Sequence, residues 1–414
     1  MSLSWIRTVT KFTVNQFLVQ ALATIAGLMI VRALSKPDYA LYTLTISAIA
    51  TFSTAFDCGT SEATFATGGR VWNDRTGLGN VLASATSVRR LVARFTTIPV
   101  AIFQYWLLLH NGASLGEGAI LVVAAWVCAD WQLSTELLRV ILRLRSRLTD
   151  ILYIDTMSAL LRVALTFILF LVSKVNFAVI IILIGTAIGY LISRYKTVSL
   201  VELNAPVDAS VRIEILTSVR RRWPYDLFSI YYGQVTLLLL SLLGESMSVA
   251  DFGALTRIAI VYTILTLNVR TIALPRYARV RNPDELRRLY FLIMGISFAI
   301  ILLLTTLIGT CSTPILWLLG SKYEMLSYEL LLVAASAGTA FLSSVAWDLN
   351  TARGWIIPYW VIIPIELITL VVLLLSIGAH TIQQLLWVAT SSNLVITFIY
   401  FLAALFYSKF FRHV

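Results

Sequence analysis

Apolar residues run through this chain in twelve long blocks separated by short polar breaks. The blocks lie at approximately 12–31, 39–56, 95–109, 119–138, 151–172, 177–192, 226–243, 252–267, 289–308, 330–347, 355–377 and 385–406. Most approach the roughly 20 residues that a helix needs to cross a hydrocarbon core. The pattern predicts an all-α polytopic membrane protein of about twelve transmembrane helices. The third block is the weakest: Arg89, Arg90 and Arg94 precede it, so 80–94 reads as an amphipathic approach along the membrane surface. The first block follows Arg7 and Lys11 but is too long for a signal-peptide core and lacks a small-residue cleavage site, so it is read as a retained span.

Composition agrees with the blocks. Of 414 residues, 59% are hydrophobic and 13% charged, and the mean hydropathy is +0.85. A soluble globule averages about 45–50% apolar and about 25% charged residues, so a soluble, secreted or disordered chain is excluded. The net charge of +11 would point to nucleic acid in a soluble protein. Here it is a topology signal, because Lys and Arg collect in cytoplasmic loops, and no nucleic-acid partner is expected. With both termini inside, 26 of the 32 basic residues fall on the inner side. Only Arg32, Lys36, Lys174 and Lys322 fall outside, and Arg162 and Arg257 lie within spans. A missed span would exchange sides for every later loop and erase the bias. The expectation is a multi-pass protein of the bacterial cytoplasmic membrane with both termini cytoplasmic.

The longest interruption, 194–225, divides the blocks into two sets of six. It predicts a bundle over 1–193, a cytoplasmic linker over 194–225 and a second bundle over 226–414. Asp38-Tyr39-Ala40-Leu41-Tyr42-Thr43 and Asp251-Phe252-Gly253-Ala254-Leu255-Thr256 stand 213 residues apart at equivalent spans on the same side. That placement describes a parallel repeat about an axis along the membrane normal. No outer loop is long enough for a catalytic domain, no phosphate-binding Gly-rich loop with a Lys-Ser/Thr ending occurs, and His110, His380 and His413 form no metal-ligand spacing. An enzyme is not expected, nor a bound cofactor. Cys58, Cys128 and Cys311 read as small hydrophobes. Gly185 and Gly189 fit the small-xxx-small pattern of close helix packing.

Several segments together resemble the polysaccharide-flippase branch of the multidrug/oligosaccharidyl-lipid/polysaccharide (MOP) exporter superfamily. Arg32-Ala33-Leu34-Ser35-Lys36-Pro37-Asp38-Tyr39-Ala40-Leu41-Tyr42 is similar to that family's R-x-L-G-x-x-x-Y-G-L-Y stretch, with Ser35 and Ala40 where Gly is usual. Asp57-Cys58-Gly59 stands where the family shows Asp-Leu-Gly. Ala273-Leu274-Pro275-Arg276-Tyr277-Ala278-Arg279 resembles its P-x-x-S-R segment, with Ala278 in place of Ser. Ile315-Leu316-Trp317-Leu318-Leu319-Gly320-Ser321-Lys322-Tyr323 resembles its L-L-F-G-x-x-Y segment. The resemblance implies two six-helix bundles in a MATE-like arrangement, with a cavity between them that opens alternately to either side. It further implies movement of polyprenyl-pyrophosphate-linked oligosaccharides between leaflets for O-antigen, capsule or exopolysaccharide synthesis, beside a polysaccharide polymerase and chain-length machinery.

Charge at membrane depth is costly and marks candidate sites. Arg162 stands eleven residues into its span, about 16 Å at 1.5 Å per residue. Two roles are open to it: binding pyrophosphate oxygens through its planar fork, or an ion pair with Asp155 or Asp130. Arg257 either guides the anionic substrate or snorkels to the interface. Glu366, near Pro358 and Pro364, either binds a coupling H⁺ or Na⁺ or packs as a protonated hydrogen-bonding group. Asp130 and Asp155 join it as coupling candidates, with solvated or capping roles as the alternative. Asn15, Gln16, Gln20 and Gln234 offer neutral hydrogen-bonding groups; the resemblance implies glycan contact, and interhelical bonding is the other reading. Two rival functions stay open: a drug/cation antiporter of the same superfamily, and a membrane-embedded polysaccharide polymerase or ligase.

Overall fold

The computed structural model describes residues 3–410 except 146, 173, 244–245, 281, 354 and 356; the side chains of 3–16 and a few others lie outside the description. The described residues contain helices and turns and no strand. They form two compact units, Met1–Val235 and Thr236–Val414.

The first unit opens with α1 (Leu3–Ala33) and α2 (Lys36–Asp57). Ser35 caps α2, its hydroxyl accepting the Asp38 amide and donating to the Asp38 carboxylate at 2.6 Å. Pro37 follows in the first turn, where a missing N–H costs nothing. The helix ends at Cys58 and Gly59, both left-handed with φ of 39° and 80°, which turns the chain into α3 (Thr60–Arg70). The Asp-x-Gly segment is thus a helix stop, and Gly59 fits because it lacks the Cβ that penalises this conformation.

The next helix, α4 (Arg75–His110), runs unbroken for 36 residues, about 54 Å at 1.5 Å per residue. That exceeds the roughly 30 Å of a hydrocarbon core. The basic stretch expected as a separate surface approach is the first half of this helix, and a row of exposed apolar residues (Phe95, Ile98, Ile102) begins directly after Arg94. Then come α5 (Leu115–Leu144), α6 (Leu148–Val172) and α7 (Val175–Val198). Ser114 caps α5 by accepting the Glu117 amide, as in a capping box. Helices α2, α4 and α7 pack on α5, and α1 and α7 on α6. Gly185 and Gly189 do bring α6 and α7 close: a Cβ added at Gly189 would meet Ser158 Oγ at 3.1 Å.

Within the stretch expected as a linker, α7 continues to Val198 and α8 (Ala209–Gly233) begins at Ala209, so only 199–208 is irregular. Helix α8 packs on α2, α3 and α4. Cys58, Leu78, Ala85, Leu137, Ile141 and Val219 form the core they share.

The second unit comprises α9 (Val235–Leu243), α10 (Ser246–Leu255), α11 (Ile260–Asn268), α12 (Leu274–Arg279), α13 (Pro283–Thr310), α14 (Ser312–Leu319), α15 (Ser327–Thr351), α16 (Tyr359–Ile377) and α17 (Ile382–Phe410). A π-helical turn, Val269–Ala273, joins α11 to α12. Helix α15 is central, packed by α13 and α17. Between α14 and α15, Gly320 has φ 108° and the following Tyr323 is fully buried. The L-L-x-G-x-x-Y segment is therefore a turn with a core anchor.

Among the described residues each of the twelve expected blocks lies mostly on helix, with turns at Gln234 and 256–259 and an irregular start to the eleventh. Among the described residues, nine helices are long and apolar enough to cross a membrane, ten if α10 and α11, bent by 41°, form one span. The seventh block is split between α8 and α9 at Gln234, and on α1 the described apolar stretch is Phe17–Ala33.

Candidate functional site

The first unit holds an uneven arrangement of charge. Asp155 lies 2.5 Å from Arg139. Asp130 lies 3.3 Å from Arg89, and Glu136 sits 2.7 Å from Arg143. Asp57 accepts the Ser61 amide and hydroxyl at 3.0 and 2.6 Å. The two acids proposed as ion-pair partners of Arg162 are thus held by other arginines, and the same pairs occupy Asp130 and Asp155 as coupling candidates. Arg162 forms no ion pair among the described residues. Its Nε is buried and without a hydrogen-bond partner. The side chain lies over Gly185 of α7, where a methyl would stand 3.7 Å from Nε and 3.9 Å from Nη2.

The neutral candidates divide. Asn15 and Gln16 lie outside the described side chains, and Gln20 is half-buried on α1. Gln234, at the junction of α8 and α9, spends its carboxamide between helices. Its oxygen accepts from Ser47, and its nitrogen donates to Thr51 Oγ1 at 3.4 Å. Gln104 of α4 donates to the same hydroxyl at 3.3 Å. The sequence does not reveal this Ser47–Thr51–Gln104–Gln234 network as a set; its one local signal is Gln104, a polar residue inside an apolar block that is only 1% exposed.

In the second unit, Arg257 occupies the bend between α10 and α11 and has partners there. Glu366 is buried in α16, two residues after Pro364, and the hydroxyl of Tyr400 on α17 hydrogen-bonds to its carboxyl. Beneath it, Asn350 of α15 donates to the Tyr400 carbonyl at 2.8 Å and Trp347 packs on the Tyr400 ring. Arg270, in the π-helical turn after α11, grips Asp348 with Nε and Nη2 at 2.6 and 3.1 Å. No group of His, Cys, Asp and Glu suited to a metal occurs among the described residues.

Outside the membrane-spanning helices, Asp208 is held below its usual carboxylate range by hydrogen bonds from Ser210 and Val211, which cap α8. Burial pushes the Tyr277 phenol up to about 12, and Arg353 lies over its ring. Both features brace loops.

These features define an all-helical, multi-pass membrane protein whose intramembrane charges are mostly paired. The chain matches an inward-facing multidrug resistance MATE family transporter of the MOP superfamily, with a TM-score of 0.70 and 17% identity over 95% of this chain and 96% of that one. An outward-facing MATE family transporter of the same superfamily matches with a TM-score of 0.63 and 16% identity, over 98% and 96% of the two chains. A MOP superfamily transporter from Pyrococcus furiosus, described as having a binding pocket of reverse polarity that suggests a different function, matches at 0.62 and 17%, over 98% and 95%. No protein-family model and no curated protein matches the sequence. The chain therefore has a MATE-like fold.

Proposed function

We propose that this chain is a flippase, not an enzyme, that moves a polyprenyl-pyrophosphate-linked oligosaccharide from the inner to the outer leaflet of a bacterial cytoplasmic membrane by alternating access. The observation that carries the reading is the state of the charges in the first unit. Its intramembrane arginine, Arg162, has no acid partner, whereas Asp130, Asp155 and Glu136 are each neutralised by an arginine. An uncompensated guanidinium suits an anionic head group; a carrier of cationic drugs needs an uncompensated carboxylate instead. The fold supports transport, since proteins of this fold have inward- and outward-facing forms. The sugar and pyrophosphate cannot cross hydrocarbon unaided, and the guanidinium fork matches pyrophosphate oxygens. In this reading Glu366, buried against Tyr400, takes up a coupling H⁺ or Na⁺. A polysaccharide polymerase and its chain-length machinery are the natural consumers of the product.

A second reading, cation efflux, draws on a cleft of about 610 Å³ lined by Asp57, Glu62, Glu136 and Arg143. One experiment separates them. In proteoliposomes loaded with lipid-linked oligosaccharide, Arg162→Ala is expected to slow translocation by about ten- to hundredfold, the worth of a charge-assisted contact. Arg162→Lys recovers only part of the rate, because it keeps the charge but loses the fork. Glu366→Gln abolishes the dependence on an imposed ion gradient. Unchanged translocation in Arg162→Ala, together with gradient-driven efflux of a cationic dye that Glu136→Gln removes, would overturn the flippase reading in favour of cation transport.

A further inference from the structure

At the end of the first unit where α4 and α8 begin and α5 and α7 finish lies a cavity of about 680 Å³ whose lining does not include Arg162. Five arginines line it: Arg89, Arg90 and Arg94 from α4, Arg194 from α7 and Arg212 from α8. A single acid, Asp130, faces them. Arg89 is only 6% exposed, and its Nη2 donates to Asp130 Oδ1 at 3.3 Å and Ser134 Oγ at 3.0 Å. Its Nη1 and the Nε of Arg212 are buried with no hydrogen-bond partner. Arg90, Arg94 and Arg194 make no ion pair among the described residues.

Such a set is unfavourable when empty. Like charges held close repel, and a buried donor without an acceptor leaves its desolvation cost uncompensated. A tetrahedral oxyanion relieves both, because guanidinium groups supply paired N–H donors in fixed geometry. The frame is rigid. A Cβ at Gly79 would stand 2.4 Å from the Glu202 carbonyl, and Ser84 bonds with the Asp208 amide at 3.0 Å, so the 199–208 segment is clamped onto α4 as one wall. The height of the cavity is equally informative: the exposed apolar row Phe95, Ile98, Ile102 starts one residue past Arg94, which sets these arginines at the edge of the hydrocarbon.

We propose that this cavity is a binding site for a phosphate-bearing anion at head-group level, separate from Arg162 and independent of what the protein transports. The phosphate reaches it either from an anionic lipid of the surrounding leaflet or as a soluble ion. Basic pockets among membrane helices take up anionic head groups in this way.

The test uses the full chain purified in a neutral detergent. Inorganic pyrophosphate is titrated by calorimetry, and phosphatidylglycerol is titrated by native mass spectrometry against phosphatidylcholine. Retention of phosphatidylglycerol over phosphatidylcholine identifies a lipid source; pyrophosphate binding without lipid selectivity identifies a soluble one. Either supports the site only if it weakens roughly tenfold in Arg90→Gln/Arg94→Gln and further as salt is raised. These two arginines are exposed, so the double variant is expected to fold. Asp130→Asn gives the opposite sign: removing the competing carboxylate frees Arg89 and tightens binding several-fold. A purely structural Arg89–Asp130 pair would leave affinity unmoved. No binding of either probe, or affinities unchanged in all these variants, would overturn the proposal.

Discussion

At the scale of single residues, the decisive fact is which arginine takes which acid. Arg139 and Asp155 pair across α5 and α6 with side chains 25% and 15% exposed, so the pair is largely withdrawn from water. Breaking it by removing one partner leaves a poorly solvated charge, at a cost of about 1–3 kcal/mol once the residual exposure is discounted. Arg139→Ala is therefore expected to lower the detergent-solubilised melting temperature. Asp155→Asn in the same chain is expected to restore most of the loss, a coupling that a double-mutant cycle measures directly. The same cycle run on Arg162 and Asp155 should give additive effects, because those two side chains do not pair. Coupling between Arg162 and Asp155 would contradict the structure.

At the scale of elements, α4 and α7 show how a glycine's surroundings decide its tolerance. Gly79 faces the Glu202 carbonyl and the Ala205 methyl at 2.4 and 2.7 Å from a would-be Cβ. Backbone must move for Gly79→Ala, with an overpacking cost of roughly 1–3 kcal/mol. Gly185 faces only the tip of Arg162 at ordinary contact distance. Gly185→Ala is expected to melt within about 1 kcal/mol of wild type, while Gly185→Leu displaces the guanidinium and slows transport as Arg162→Ala does. Thermal melts of the two alanine variants check the contrast; equal stability would show that 199–208 is not clamped on α4.

Over the whole molecule, the question is orientation. In the first unit the loops rich in basic residues meet at one end: Arg70 pairs with Glu214, Arg75 donates to the Val198 carbonyl at 3.0 Å, and Arg145 donates to Asn73 at 3.1 Å. The positive-inside rule predicts that this end faces the cytoplasm. In a cysteine-free background, Lys174→Cys and Lys322→Cys are expected to react in intact cells with a membrane-impermeant maleimide, and Pro206→Cys and Glu285→Cys only after lysis. Labelling of the second pair in intact cells would reverse the orientation.

Much of this was legible before any coordinates. Apolar runs near the length of a bilayer crossing locate every block mostly on helix, since a backbone without water must bond to itself. The charge count assigns 89–94 to the basic side, and Gly185 and Gly189 mark a close helix contact, though not which neighbour makes it. What folding alone settled is pairing. Arg162 stands seven residues from Asp155, yet Arg139 on the neighbouring helix reaches that acid, because side-chain partners across helices depend on rotation and depth that one-dimensional spacing does not carry. For the same reason Gln234 meets Ser47 and Thr51 from 183–187 positions away, and five arginines dispersed over more than a hundred residues close around one cavity. Periodicity is a local property of the chain and survives in the sequence. The meeting of charges is a property of packing, and it exists only once the helices have been set against each other.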